Sequence, residues 1–290
     1  MDITTNGFWD EDKMERKFRE WRIFIPLVTL VTSALLVCGI TYCMHLFREG
    51  CHFVVFPSAL FYHAAMIVVV HDGAHKAITR TPADSWIITI FGGLVLLPFY
   101  PEPFRRYHLI HHAHTNEEVD PLWPEQKKVI FEKNRWLYVL AEFIPFGFLL
   151  LSVNNHRKRS APVPGPRIRW EMMLISFAIS ALVIFFVKPD PLFIIFSVLI
   201  ASVLARFRHW CEHIGDNIHR ESNTYWFPLG MGIGNHVVHH AHTQYSWFTL
   251  MLGLFGKKRD TNPLKAFVRL LTDKNYRHYP AAGQPGKSKG

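Results

Sequence analysis

"IFIPLVTLVTSALLVCGITYCMHLF" occupies residues 23–47 and contains no Asp, Glu, Lys or Arg. A bilayer core asks for about 20 consecutive apolar residues in a helix. The stretch reads as a membrane span, and that reading decides the fold class. Before it stands "MDITTNGFWDEDKMERKFREWR" (1–22), polar and of mixed charge. That segment lacks the short basic start and immediate apolar core of a secretory signal, so the first apolar run is expected to stay in the protein.

Three further runs repeat the pattern: residues 53–70, 172–187 and 191–205. The last two are separated only by "KPD" and predict a tight helical hairpin. Two more runs are ambiguous. Residues 86–100 contain Gly92-Gly93 and end at prolines; residues 136–153 carry Glu142 and Pro145. Each is compatible with crossing, with lying at the interface, or with dipping in and returning.

Composition agrees with a membrane protein. Of 290 residues, 49% are hydrophobic and 19% charged, against about 25% charged in soluble domains. The formal net charge is +9, which suits nucleic acid or an anionic membrane surface. No nucleic-acid-reading motif is present, and the positive charge flanks the apolar runs. The four cysteines form no CxxC pair, so no disulfide framework is expected.

Charge also orients the chain. Lys13, Arg16, Lys17, Arg19 and Arg22 precede the first run, and Arg157, Lys158, Arg159, Arg167 and Arg169 lie between residues 153 and 170. The positive-inside rule places both segments in the cytoplasm. Four spans reproduce this pattern if neither ambiguous run crosses. The expected fold is an all-α multi-pass membrane protein with about four transmembrane helices, interfacial or re-entrant helices and a cytoplasmic histidine-rich cap. The expected divisions are a cytoplasmic N-terminal segment (1–22), the membrane domain (23–260) and a cytoplasmic C-terminal tail (261–290). The end of that tail, "AAGQPGKSKG", is Gly/Lys/Ser-rich and reads as disordered.

Against this oily background stand 18 histidines. Four clusters hold "HDGAH" (His71, His75), "YHLIHHAHTN" (His108, His111, His112, His114), "RHWCEH" (His209, His213) and "NHVVHHAH" (His236, His239, His240, His242). The second and fourth share H-x-x-H-H-A-H-T. In a helix, positions i, i+3 and i+4 share a face, so His108, His111 and His112 converge, as do His236, His239 and His240. His114 and His242 fall towards the edges of those faces. His45, His52, His63, His156, His219 and His278 read as isolated polar residues.

Metal binding is the chemistry that needs many neutral imidazoles. A basic patch would mix Lys and Arg among them. A structural zinc site takes four ligands, usually including cysteine. So many histidines exceed one coordination sphere, and two metals are the economical reading. Imidazole suits Fe, Zn, Cu and Ni alike, so spacing does not name the metal.

H-x3-H, H-x2-H-H and H-x2-H-H, in this order between apolar spans, resemble the three histidine boxes of the membrane fatty acid desaturase family. Glu212-His213 after the last span and "HHAHTNEEVDPLW", with Asp120-Pro121, extend the resemblance, which covers roughly residues 20 to 260. It implies a non-haem di-iron centre held by His71, His75, His108, His111, His112, His213, His236, His239 and His240. Asp72, Asp120, Glu212 and Asn235 are then candidates to orient imidazole N–H groups. It also implies O2 as co-substrate and removal of hydrogen from an unactivated C–H bond of a lipid. The spans would position the chain. No HPGG-type haem motif is present, so a separate electron carrier is expected, of ferredoxin or cytochrome b5 type with its reductase.

The leading expectation is a fatty acyl desaturase. The family also includes carotenoid hydroxylases and ketolases, which the short chain resembles too, so hydroxylation or ketolation of a carotenoid or another lipid hydrocarbon is the alternative. A histidine-rich metal transporter is the alternative of a different class. Transporters place ligands near the midplane, whereas these histidines follow span ends. A zinc protease lacks its H-E-x-x-H.

Overall fold

A computed structural model describes residues 11–117, 119–122, 125–143, 165–215, 222–227, 230–254 and 259–279. Among them the chain is helical, apart from one two-stranded ribbon. An amphipathic helix α1 (Glu11–Trp21) leads into α2 (Ile25–Arg48), and Gly50, at φ +92°, turns the chain into α3 (His52–Ala74). Two shorter helices follow, α4 (Ala83–Leu94) and α5 (Pro101–Ala113), then α6 (Glu125–Lys133) and α7 (Arg135–Phe143). Beyond them lie α8 (Trp170–Val187) and α9 (Pro191–Glu212). The cap closes with β1 (Ile214–Gly215), α10 (His236–Ala241), α11 (Trp247–Leu254), α12 (Pro263–Thr272) and β2 (Arg277–His278).

The four helices α2, α3, α8 and α9 are long and apolar enough to cross a membrane. Their outer faces carry bare rows of large apolar side chains, such as Leu30, Leu35, Leu174, Phe177, Phe185 and Phe186. Water would not tolerate so continuous a surface, and lipid covers it. The protein is a multi-pass integral membrane protein. α3 is the most enclosed of the four.

The "KPD" hairpin forms as its residues demand. Lys188 takes the left-handed conformation that ends α8, and Asp190 caps α9 by accepting from the Leu192 N–H at 2.8 Å. Pro191 then starts the helix, where no N–H is needed. At the same end of the bundle Arg48 donates to the Val187 carbonyl at 3.0 Å.

Neither ambiguous run forms a full span among the described residues. α4 has 12 residues, about 18 Å of helix against a hydrocarbon core of about 30 Å. It packs on α8 instead: Ser180 donates to the Gly93 carbonyl at 2.9 Å. From the second run only α7 is described, nine residues long. Its Glu142 is buried against Lys127 at 2.6 Å and Arg206 at 3.6 Å, which accounts for a carboxylate in an apolar stretch. Residues 144–164, with the basic run Arg157–Arg159, lie outside the described residues, as do His156, His219 and residues 280–290.

Both flanking segments fold back on the cap. Phe18 of α1 packs against Tyr245, ring centroids 4.4 Å apart and tilted by 46°, and Tyr245 donates to Glu15 at 2.9 Å. Of the stretch expected to be a tail, α12 packs on α9, and β2 pairs with β1 so that His278 faces Ile214. The Tyr279 N–H then reaches the His213 carbonyl at 3.0 Å. All four cysteines are free thiols.

A Cβ on Gly93 would meet Ile179 and the Ser176 carbonyl at 2.7 Å. Overpacking of this kind costs about 1–3 kcal/mol. Gly93→Val is expected to lower the melting midpoint in detergent, whereas Val at Gly50, which has open space but a positive φ, should act through the turn alone.

Candidate metal centre

Span ends bring the first and third histidine clusters together. α3 opens into a π-helical turn at Met66–His71, just before its final turn, a distortion frequent at functional positions. His71 and His75 then sit with ring centroids 5.1 Å apart. α9 ends at Glu212, followed at once by His213. α5 carries His108, His111 and His112 on its last turns, with His108 stacked on Phe104 one turn earlier. α10 carries His236, His239 and His240.

These elements converge into two groups. His71, His75, His108 and His239 bring four ring nitrogens within 4.8 Å of one another; so do His111, His213, His236 and His240. The division cuts across the motifs. The shared face expected for His108, His111 and His112 splits, with His108 in one group and His111 in the other. His239 parts likewise from His236 and His240. His112 stands between the groups, its Nε2 2.9 Å from that of His239 and its ring 4.3 Å from that of His240.

Ring nitrogens meet at 3.0 Å (His71–His239), 3.1 Å (His213–His236) and 3.2 Å (His236–His240). Such separations match the edge between two ligands whose metal–nitrogen bonds are about 2.0–2.1 Å. Nε2 of His75, His108 and His111 is buried with no hydrogen-bond partner. Buried polar atoms are normally satisfied, so these inward lone pairs fit two metal ions.

Three of the four candidate orienting residues touch a histidine. His71 Nδ1 donates to Asp72 at 3.2 Å, and Asp72 is itself held by the Trp247 N–H at 2.7 Å. His111 Nδ1 donates to Asp120 at 2.9 Å, and Asp120 also accepts from the Asn116 and Leu122 N–H groups. Protons fixed on Nδ1 leave Nε2 free to ligate. Glu212 lies 3.9 Å from His236 Nδ1, accepts from Tyr225 Oη at 2.9 Å and pairs with Arg208 at 3.1 Å. Asn235 differs: its amide donates to the Leu250 carbonyl at 3.4 Å, while its buried side-chain oxygen has no partner.

Electrostatics keep six of the nine imidazoles neutral. Burial pushes His75 down to about 3, helped by His111 nearby. Burial first, then neighbouring histidines, hold His108, His112, His236, His239 and His240 well below the ordinary imidazole value. For Asp120 burial acts upward, but His111 and the hydrogen bonds outweigh it and hold the carboxyl below its usual range.

His114 and His242 stay outside both groups, as their edge positions imply. His114 pairs with Glu117 at 2.9 Å, and His242 stacks on Tyr245. Three contributors were not singled out from sequence. Thr115 spends its proton on the His111 carbonyl at 2.8 Å, leaving its oxygen to accept from His240 Nδ1 at 3.3 Å. Tyr225 holds Glu212, and the Trp247 backbone holds Asp72. Only Thr115 left a signal, as the last letter of the repeated motif.

A cavity of about 710 Å³ opens beside the histidines. His71, His108, His111 and His236 line one end; Met66, Ile67, Leu97, Phe104, Leu122 and Val198 line the walls. Polar groups enter it from α9 (Ser202, Arg206, His209) and at Lys127 and His63.

Removing Asp120 strips three donors of their acceptor. Asp120→Ala is expected to weaken one of two metal sites about 10- to 100-fold, read by metal titration, with the other site largely unchanged. Acidification should act on the histidines that burial holds neutral. His75 titrates lower in the folded chain than the ~6.5 of a solvated imidazole, so the unfolded chain takes up the proton first as pH falls. Stability of the metal-free protein should be flat above pH ~6.5 and fall progressively below it, towards about 3. Melting midpoints across a pH series check this.

A comparison with family models matches residues 50–252 to the fatty acid desaturase family. No curated protein and no solved structure gives a match. The matched region contains all twelve histidines of the four clusters and runs from the start of α3 into α11. With its histidine boxes gathered into two metal-fitting groups at the ends of membrane spans, the chain belongs to the fatty acid desaturase family and is an oxidoreductase.

Proposed function

We propose that the protein is an O2-dependent di-iron enzyme that introduces a double bond into a lipid acyl chain. The observation that carries the reading is the cavity: about 710 Å³, walled by apolar side chains, and ending on the histidines of both groups. That volume lies within the usual range of small-ligand sites, about 300–1,000 Å³.

In this reading His71, His75, His108 and His239 hold one iron, and His111, His213, His236 and His240 the other, with His112 between them. The irons would supply O2 activation with two electrons and removal of hydrogen from an unactivated C–H bond. The chain's own residues do the rest. Asp72 and Asp120 keep the Nδ1 protons of His71 and His111 in place. The walls of α3, α5 and α9 hold the lipid chain against the histidines and exclude water, so position along the cavity selects the carbon. Electrons come from a separate ferredoxin- or cytochrome b5-type carrier.

The histidine end faces the cytoplasm in this reading. Arg105 and Arg106 of α5 donate to the Arg167 and Pro166 carbonyls, so Arg167 and Arg169 just before α8 lie on the histidine side, where the positive-inside rule wants them.

Iron near two per chain, and a new acyl double bond in the lipids of an expressing host, are the expected results. His111→Ala should abolish the product and lower the iron content. A hydroxylated or ketonic product without a double bond would move the assignment to hydroxylase or ketolase. Zinc-loaded protein without oxygen consumption would favour a transporter.

A further inference from the structure

One polar side chain stands deep in the cavity wall and serves nothing described above. His63 precedes His71 by two helical turns on α3, roughly 12 Å along the span. It is 1% exposed, lines the cavity, and neither of its ring nitrogens makes a hydrogen bond. The edge of Phe227 packs against it, 6.0 Å between centroids. The buried, unpartnered groups of Thr29, Ser58, Tyr62, Ser176 and Ser197 on the spans do not line the cavity.

A neutral imidazole offers one donor and one acceptor, and leaving both buried and unmade is costly. A plain hydrocarbon chain filling the cavity would press methylenes against His63 and satisfy neither. A hydroxyl or carbonyl at that depth would satisfy one or both. On α9 the residue after Ala201 adds to the same wall: Ser202 donates to the Val198 carbonyl at 2.8 Å, which leaves its oxygen free to accept.

We propose that His63 is a specificity-determining residue, and that the preferred lipid carries an oxygen function, hydroxyl or carbonyl, remote from the carbon presented to the histidines. This rests on the reading that the cavity holds the substrate. Sites built to hydrogen-bond a substrate discriminate against analogues lacking the group far more strongly than apolar pockets sort chain length.

Binding, rather than turnover, tests it. Stearate and its positional series of monohydroxy and monoketo derivatives would compete with a fluorescent fatty acid for the purified protein. One position, or two adjacent ones, should bind about tenfold or more tighter than stearate. His63→Leu should erase that preference at unchanged iron content, and His63→Gln, which keeps a donor and an acceptor, should retain part of it. Equal binding of the whole series by the wild-type protein overturns the proposal, whatever the variants do. A preference that survives in His63→Leu overturns it too. Failure of every lipid to bind would instead remove the cavity reading on which the proposal rests.

Discussion

Nine imidazoles share one buried volume in this protein, and the rest of the cap follows from what that arrangement requires. Each ring must stay neutral and present a lone pair inward. For His75, His108, His112, His236, His239 and His240 burial supplies the first condition by penalising the imidazolium. The second is met from outside, where Asp72 and Asp120 accept Nδ1 protons and Thr115 accepts one from His240. Those carboxylates are buried in turn, and an unpaired buried charge costs several kcal/mol. Asp72 therefore needs the Trp247 N–H, and Asp120 the Asn116 and Leu122 N–H groups. The loop after α5 and the start of α11 take their places from these bonds.

The membrane bundle serves the same centre. Its far end is short and plain, closed by the turns at Gly50 and at Lys188–Asp190. Its near end delivers His71 and His213 from two spans that stand side by side, and the cavity follows the seam between those spans down from the histidines. α4 is too short to cross, which keeps α5 on the same side as His71. Had residues 86–100 crossed alone, α5 and its three histidines would have been carried away from His71 and His75.

Much of this was legible because the signals are local. Four long apolar runs announce themselves by length, and the hairpin by Lys-Pro-Asp. The boxes show by the rarity of clustered histidine in an apolar chain. Asp72, Asp120 and Glu212 could be named because each stands beside a box. Asn235 met the same criterion, yet its amide turns to Leu250 rather than to an imidazole. Tyr225 and Trp247 bear on carboxylates that are remote in sequence, and nothing near them in the chain marks the partner. The fates of residues 86–100 and 136–143 depended on neighbours as well: Gly93 fits against Ile179 and Ser176, and Glu142 meets Lys127 and Arg206.

The sequence by itself determined the membrane class, the four long apolar runs and the histidine clusters, since hydrophobic length and residue chemistry are properties of short segments. Only the tertiary structure decided how those histidines are shared. Helical spacing puts His108, His111 and His112 on one face, but a face of α5 wide enough for three rings borders two groups at once. Which group each ring joins is set by the helix crossing it. α3 approaches His108, while His213 and α10 approach His111. Packing geometry between distant segments is not encoded in the spacing of either one.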